Sequence, residues 1–260
     1  MRRKTAFTLV ELLVVISMIA ALLSFLLPAL SRARVAGWAT VCLSHQRQLV
    51  TAWTTYATAN DGHLVGGHAS SLTVSAWVMH PQDADGIYDP GSVENIMRGI
   101  ERGLFYPFID NLEIYRCPAA ANEYERSPPG SYRTYMVAGG MNGRNYPYSN
   151  YGNIRRPASK FVLVENTQEF WNYGAWEITL PGSPFEGYWL DALSVFHGDR
   201  STLSFADGHV ELHTWQDDRT AELVNGFINN EPQPDNLDYL YMQQHCPYDR
   251  STLPWLLSAE

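Results

Sequence analysis

The apolar segment at residues 7–30 constrains the fold of this chain more than any other feature. Its only charged side chain is Glu11. At the helical rise of about 1.5 Å per residue these 24 residues reach roughly 36 Å, which is enough for the ~30 Å hydrocarbon layer of a bilayer. We therefore expect a helix that can span a membrane.

The carboxylate of Glu11 is costly in such a helix. Even on lenient insertion scales, an acid near the centre of a span costs on the order of 3 kcal/mol. Acids inside spans therefore usually pair with a cation or face a polar interior. The sequence predicts a partner that neutralises Glu11.

The residues around Glu11 resemble the N-terminal signal of type IV prepilins and type II secretion pseudopilins. A basic start is followed by Ala6-Phe7-Thr8-Leu9-Val10-Glu11 and then by the apolar run. The resemblance implies that a prepilin peptidase cleaves between Ala6 and Phe7 and methylates the new amino group. Glu11 is then the fifth mature residue and Pro28 the twenty-second. It also implies that Glu11 pairs with the methylated amine of a neighbouring subunit in a fibre.

An ordinary secretory signal peptide is the alternative interpretation of this segment. The basic start would be its n-region and the apolar run its h-region, with cleavage near a small residue such as Ala33 or Ala36. The length of the run and the acid within it both count against this alternative.

The charge balance limits the partners of the protein. The formal net charge is −9, and loss of the basic leader residues Arg2, Arg3 and Lys4 would change it to −12. An acidic protein of this kind is not expected to bind nucleic acid or anionic lipid. The positive-inside rule keeps the leader in the cytoplasm and predicts an extracytoplasmic, periplasmic globular part.

Helical periodicity continues beyond the apolar run and ends at a strong stop signal. Apolar residues recur every three, four or seven positions up to about Ala59, and Asn60-Asp61-Gly62 follows. We expect one long helix with a bend at Pro28. The predicted organisation is a leader at residues 1–6, a transmembrane assembly helix at 7–30, its amphipathic continuation at 31–60 and a globular domain at 61–260.

The globular domain is predicted to be α+β, with the long helix packed on an antiparallel sheet. A short helix is expected at residues 93–102 with Ser92 as its N-cap. The expected strands lie at residues 72–79, 114–117, 132–137, 161–165, 203–206 and 209–214.

The last two strands are predicted to form a hairpin around a two-residue Asp207-Gly208 turn of type I′. In that register Leu203 lies opposite Leu212, and Phe205 opposite Val210. The polar residues would then share the other face: Ser204, His209, Glu211 and His213.

A second resemblance supports the first. His197, nine intervening residues and then Asp207-Gly208 resemble the His-x9-Asp-Gly signature near the C-terminus of a large group of prepilin-like proteins. Weaker similarities to that group run through most of the chain. We expect His197 to hydrogen-bond near Asp207 and to stabilise the hairpin.

Three sets of residues are candidate metal or covalent sites. His209, Glu211 and His213 on one strand face could bind a metal, although a polar solvent face is the simpler interpretation. Oxygen-rich turns suit calcium, which makes the Asp83, Asp85 and Asp89 turn a second candidate. The third set is Cys42, Cys117 and Cys246, which allow one disulfide of undetermined pairing or three free thiols, and which lack the pattern of a zinc site.

The expected function is that of a structural subunit. A dense aromatic stretch that includes Trp176 and Trp189 could bind sugar or pack in the core. Catalytic motifs are absent from the sequence, so no enzyme activity is expected. No cofactor is expected either, unless the acidic turn binds calcium. We expect self-assembly with other pilin-like subunits at a secretion or pilus platform in the inner membrane. The alternative is a membrane-tethered binding protein, for example for polysaccharide, that forms no fibres.

Overall fold

A computed structural model describes residues 8–69, 76–120, 132–143, 148–166, 174–191, 193–222 and 232–248. The chain divides into two compact units, Met1–Gly37 and Trp38–Glu260. The α-helices, in chain order, are α1 (Leu9–Ala59), α2 (Val93–Glu101), α3 (Tyr106–Ile109), α4 (Asp218–Glu222) and α5 (Leu237–His245). The strands are β1 (Tyr135–Ala138), β2 (Phe161–Glu165), β3 (Ala175–Trp176), β4 (Arg200–Phe205) and β5 (Val210–Thr214).

Helix α1 is the longest element, with 51 residues, and it continues through Pro28. It contains an 18-residue window that is apolar enough to cross a membrane, and none of that window is buried within the chain. This confirms the predicted apolar helix. The bend at Pro28 stays a prediction.

The predicted stop signal ends α1. Asp61 and Gly62 both adopt the left-handed conformation, with φ angles of 53° and 81°. The Gly62 N–H donates to the carbonyl of Ala57 over 2.8 Å, so the last turn of the helix is closed by its own cap. A side chain at position 62 would be strained, which explains a glycine here.

The second half of α1 packs on the globular unit along one face. Cys42, Leu49 and Trp53 are fully buried, at spacings of seven and four residues. The ring of Trp53 lies 5.6 Å from that of Tyr151. The predicted amphipathic periodicity is therefore confirmed in this half of the helix.

A five-stranded sheet forms the centre of the globular unit, in the order β3-β1-β2-β4-β5. The pairs β1/β2, β2/β4 and β4/β5 are antiparallel, as predicted. The pair β1/β3 is parallel, which the sequence did not predict. β3 has only two residues, and it is held to β1 by hydrogen bonds from the N–H groups of Val137 and Gly139.

One predicted strand is wrong, and a second is wrong over the half of it that the structure describes. Residues 114–117 fall in and after a 3₁₀ helix, Leu112–Tyr115, because the Asn111 side chain accepts a hydrogen bond from the Glu113 N–H and starts a helical turn. Residues 76–79 form no strand beyond one bridge between Ala76 and Gly66, and residues 72–75 lie outside the described residues.

Other predicted elements agree closely with the structure. β2 has the predicted bounds, and β1 begins three residues later than predicted. α2 ends one residue earlier than predicted, and the Ser92 side chain accepts from the Asn95 N–H as its N-cap. Short 3₁₀ helices at Pro118–Ala120, Tyr151–Asn153 and Pro157–Ser159 complete the described elements.

The hairpin between β4 and β5 forms, but its predicted register is wrong by one residue. Leu203 lies opposite Glu211, and Ser204 opposite Val210. The Phe205 N–H donates to the carbonyl of His209, so three residues form the loop instead of two. Gly208 has a positive φ of 91° and Asp207 does not, whereas a type I′ turn needs positive φ at both.

This shift changes which side chains share a face. Glu211 and His213 lie on the same side as Leu203, and Ser204 lies on the other side. The predicted division into one apolar and one polar face is therefore wrong. Neither face of β4 is a solvent face, because all its residues after Arg200 are buried.

The core of the globular unit is rich in aromatic residues. Trp53, Trp77, Trp176 and Trp189 are all less than 2% exposed. Trp176 and Trp189 therefore pack in the core rather than present rings to a sugar. Trp171 and Tyr173 of the same stretch lie outside the described residues.

Candidate functional site

The first turn of α1 is closed by a reciprocal pair of side chains. The Thr8 hydroxyl accepts a hydrogen bond from the Glu11 N–H over 3.2 Å. In return, Oε2 of Glu11 accepts from the Thr8 N–H at 2.9 Å and from the Thr8 hydroxyl at 2.7 Å. This is a capping box, in which two otherwise unsatisfied donors at a helix start are paired.

The capping box gives Glu11 a partner within its own chain. Both of these hydrogen bonds use Oε2, and the side chain is otherwise exposed. A carboxylate held at a helix N-terminus is also stabilised by the helix dipole. The sequence analysis predicted only a partner on another subunit. The Thr-x-x-Glu spacing of Thr8 and Glu11 is that of a capping box and would have indicated this local role.

The part of α1 around and after Glu11 has an apolar surface that is exposed in the isolated chain. Such a continuous apolar surface is uncommon on soluble monomers and marks a site of membrane or protein contact. Its large exposed side chains are Leu9, Val10, Leu12, Leu13, Val14, Val15, Ile16, Met18, Ile19, Leu22, Leu23, Phe25, Leu26, Leu27 and Leu30.

The two halves of the His-x9-Asp-Gly signature lie in different surroundings. His197 is fully buried, and its Nε2 lies 3.2 Å from Oε1 of Glu165. Asp207 instead accepts from the N–H and from Nδ1 of its neighbour His209. The expected contact between His197 and Asp207 is therefore wrong. The six-residue strand β4 separates the two, which at about 3.3 Å per residue is roughly 20 Å.

His197 belongs to a buried group of four side chains that the sequence did not reveal as a group. The others are Cys42, Cys117 and Glu165, and one ligand-type atom from each lies within 4.8 Å of all the others. Among the described residues this is the one group of three or more His, Cys, Asp or Glu side chains that converges in this way. We refer to these four residues as the buried cluster.

Four separate parts of the fold supply the buried cluster. Cys42 comes from α1, Glu165 ends β2, and His197 precedes β4. Cys117 lies between two 3₁₀ helices, where its N–H donates to the Thr134 hydroxyl over 2.6 Å. Each position is set by backbone structure, so the side chains meet without a local sequence motif.

Hydrogen bonds to the backbone of β4 fix the cluster in place. Oε2 of Glu165 accepts from the Thr202 N–H over 2.7 Å. Gln46, one turn after Cys42, donates to the Thr202 carbonyl over 2.6 Å. Thr202 thereby connects α1, β2 and β4 at the edge of the cluster.

Burial and mutual contacts set the protonation of the cluster. Burial alone would lower the pKa of His197, but hydrogen bonds to Cys117 and Glu165 and the negative charge of Glu165 outweigh it and raise that pKa to about 9. Burial raises the pKa of the Cys117 thiol far above its ordinary value. At neutral pH His197 is therefore an imidazolium and Cys117 a neutral thiol.

The strand residues proposed for a metal do not converge as a set of three. His213 lies 3.5 Å from Glu211 and stacks on Tyr241, with ring centroids 4.1 Å apart. His209 stacks instead on Phe205 at 4.2 Å. Metal binding by this set stays a prediction.

The acidic turn uses its carboxylates to bind its own backbone and neighbours. Asp83 accepts from the N–H groups of Asp85 and Ile87. Asp89 accepts from the Gly91 N–H and from the Asn95 side chain. These contacts explain the acidic residues structurally, and calcium binding there stays a prediction.

Comparison with known proteins gives one finding. A family model described as the prokaryotic N-terminal methylation motif matches residues 1–27. No curated protein and no solved structure matches the chain. The match covers the capping box and most of the exposed apolar surface, and it supports a prepilin-like, membrane-anchored protein processed by a prepilin peptidase.

Proposed function

We propose that this protein is a structural subunit of a type IV pilus-like or type II secretion pseudopilus-like fibre. A prepilin peptidase removes residues 1–6 and methylates Phe7, and the mature chains then assemble by packing of α1. The observation that carries the proposal is the methylation motif at residues 1–27, which precedes an unburied apolar helix.

The exposed apolar surface of α1 explains how the same helix serves two environments. Before assembly its side chains contact lipid, which solvates them as well as another helix would. In a fibre outside the membrane, the same side chains are removed from water by neighbouring helices. Exposure of apolar surface to water costs roughly 25 cal/mol per Å², so helices that have left the membrane stay packed together.

Glu11 sets the register of that packing. Its carboxylate is positioned at the start of α1 by Thr8 and offers Oε1 to a second partner. The methylated amine of an adjacent subunit is a cation of suitable charge at the same level of the fibre. An unpaired buried carboxylate costs several kcal/mol, so misaligned subunits are disfavoured.

The proposal also fixes topology and partners. The basic leader stays in the cytoplasm, α1 crosses the inner membrane once, and residues from Trp38 onward are extracytoplasmic. The partners are other copies, other pilin-like subunits, the peptidase and an assembly platform. Enzyme activity and nucleic-acid binding are not part of this function.

Substitution of Glu11 by glutamine tests the proposal. Glutamine also serves in a capping box, so Glu11→Gln retains the helix start and removes only the charge. We expect Glu11→Gln to remain membrane-bound but to yield at least tenfold fewer fibres, measured by shearing and by cross-linking of subunits in the native host.

Thr8→Ala is the matched control, because it removes the capping hydroxyl and retains the carboxylate. It should assemble far better than Glu11→Gln, because the N–H of residue 8 can still hold the carboxylate. Normal assembly of Glu11→Gln would contradict the pairing. Normal assembly together with polysaccharide binding by the intact protein would instead identify a membrane-tethered binding protein.

A further inference from the structure

Cys42 and Cys117 lie closer to each other than to any other cysteine of the described chain. Their sulfur atoms are 2.9 Å apart, and the residues are 75 positions apart in sequence. Both side chains are completely buried. Disulfide sulfurs are about 2.05 Å apart, so a bond here requires a shift of only about 0.9 Å.

The third cysteine is in a different environment. Cys246 follows α5, outside the buried cluster, and burial raises the pKa of its thiol to about 12. Of the three cysteines, Cys42 and Cys117 are therefore the pair whose sulfur atoms are close enough to join.

We propose that Cys42 and Cys117 form a disulfide bond in the exported protein, which covalently connects α1 to the segment that precedes β1. The inference rests on the proposed function only for export, since disulfides persist in oxidising compartments and are rare in the cytoplasm. It does not require that fibres form.

The charges around the two sulfurs favour a bond over a bound metal ion. Without a metal, Glu165 and His197 keep each other as partners at 3.2 Å, and oxidised sulfur adds no charge. A divalent ion would need two thiolates, the carboxylate and a neutral imidazole, which leaves one net negative charge in a fully buried site.

The geometry agrees with the charge argument. Zinc binds thiolate sulfur at about 2.3 Å in a tetrahedral arrangement, which places two sulfurs roughly 3.8 Å apart. The Cys42 and Cys117 sulfurs are much closer than that. Among the described residues, Nδ1 of His197 also has no hydrogen-bond partner, whereas metal-bound histidines usually donate from their second nitrogen.

The bond forms by exchange with an oxidised dithiol carrier protein. The Cys117 thiolate attacks one sulfur of the carrier disulfide, which forms a mixed disulfide and releases one carrier thiolate. The Cys42 thiolate then attacks the Cys117 sulfur and releases the second. Two electrons pass to the carrier, and the two cysteine protons pass to the carrier thiolates. Because both sulfurs are buried in the folded chain, exchange precedes closure of the core.

The proposed bond gives the histidine of the C-terminal signature a role. Nε2 of His197 lies 3.6 Å from the Cys117 sulfur and 3.2 Å from Glu165. The imidazole therefore covers the sulfur pair and compensates the buried carboxylate beside it. The helix that assembles and the domain that is displayed would be joined at this point by a covalent bond as well as by packing.

Differential alkylation of the full-length protein tests the bond. Membranes are denatured in N-ethylmaleimide without reductant, then reduced and treated with iodoacetamide, and the peptides are identified by mass spectrometry. We expect the iodoacetamide label on Cys42 and Cys117 and the N-ethylmaleimide label on Cys246. The single variants Cys42→Ser and Cys117→Ser should each transfer the partner cysteine to the N-ethylmaleimide pool, whereas Cys246→Ser should change neither.

N-ethylmaleimide on both Cys42 and Cys117 would overturn the proposal, as would a bond from either one to Cys246. Elemental analysis of the same preparation adds a separate criterion, because one zinc per chain with two free thiols would also overturn it. Failure of the bond in a chain that is still processed and assembled leaves the proposed function intact. A bond in a chain that never assembles would support the disulfide and contradict the proposed function.

Discussion

At the scale of the residue, His197 shows how a side chain can be singled out by sequence while its partners are not. The signature identified the histidine, yet its contacts are with Glu165 and Cys117, 32 and 80 positions away. Glu165 ends an apolar strand, and this polar ending is the only local sign of its role. Pairings over such distances depend on strand order, which no spacing in the sequence encodes.

The His197–Glu165 pair predicts a loss of stability in mild alkali. In the folded chain with reduced cysteines, Cys117 and Glu165 raise the pKa of His197 to about 9, whereas it is near 6.5 in the unfolded chain. Below pH 6.5 both states hold the proton, and between pH 6.5 and 9 only the folded state does. The stability from this group is therefore complete below pH 6.5 and is lost as the pH rises to 9, by on the order of 3 kcal/mol.

Chemical denaturation in detergent and a thiol reductant, across this pH range, checks the effect in the reduced chain. Burial also raises the pKa of Asp191 to about 7, so the stability that this group contributes falls as the pH rises towards 7. The comparison therefore needs a matched variant. The double variant with Glu165→Gln and His197→Gln removes both charges together and should show a flatter profile above pH 7. A wild-type profile as flat as that of the double variant would contradict the buried ion pair.

At the scale of the element, the loop between β4 and β5 marks where local sequence rules are ambiguous. An Asp-Gly pair suits a two-residue turn, and it also suits a three-residue loop that ends in a left-handed glycine. The two differ by one residue in register, and here the second forms. Burial of both faces of β4 removes the alternation that would have distinguished them.

Gly208→Ala tests the left-handed conformation of that loop. Apart from its chain neighbours, no described residue has an atom within 4 Å of a Cβ added at Gly208, so the cost is backbone strain alone, about 1 kcal/mol. Gly37 has equally open surroundings in the middle of α1, and there Gly37→Ala should stabilise by up to about 1 kcal/mol. Denaturant midpoints of the two variants should move in opposite directions, and a more stable Gly208→Ala protein would contradict the loop.

The elements that were predicted well are those whose ends are marked by local sequence signals. α2 has its serine N-cap, α1 its left-handed stop, and β2 a continuous apolar run bounded by polar residues. The errors have equally local causes. Asn111 initiates a 3₁₀ turn where an apolar run suggested a strand, and β3 is too short to carry a periodic signal.

At the scale of the whole molecule, the α+β class and the division between an apolar N-terminal segment and a globular remainder are readable from the sequence. The parallel addition of β3 and the convergence of the buried cluster are not, because both depend on how distant segments meet. The proposed function depends on the short N-terminal motif. The globular unit contributes the proposed bond between Cys42 and Cys117.

Mass spectrometry of the mature N-terminus, on protein purified from membranes of the native host, tests the central claim most directly. We predict a chain that begins at Phe7 with one added methyl group on its amino nitrogen. A chain that begins after Ala33 or Ala36 would contradict processing by a prepilin peptidase and identify a secretory signal peptide instead.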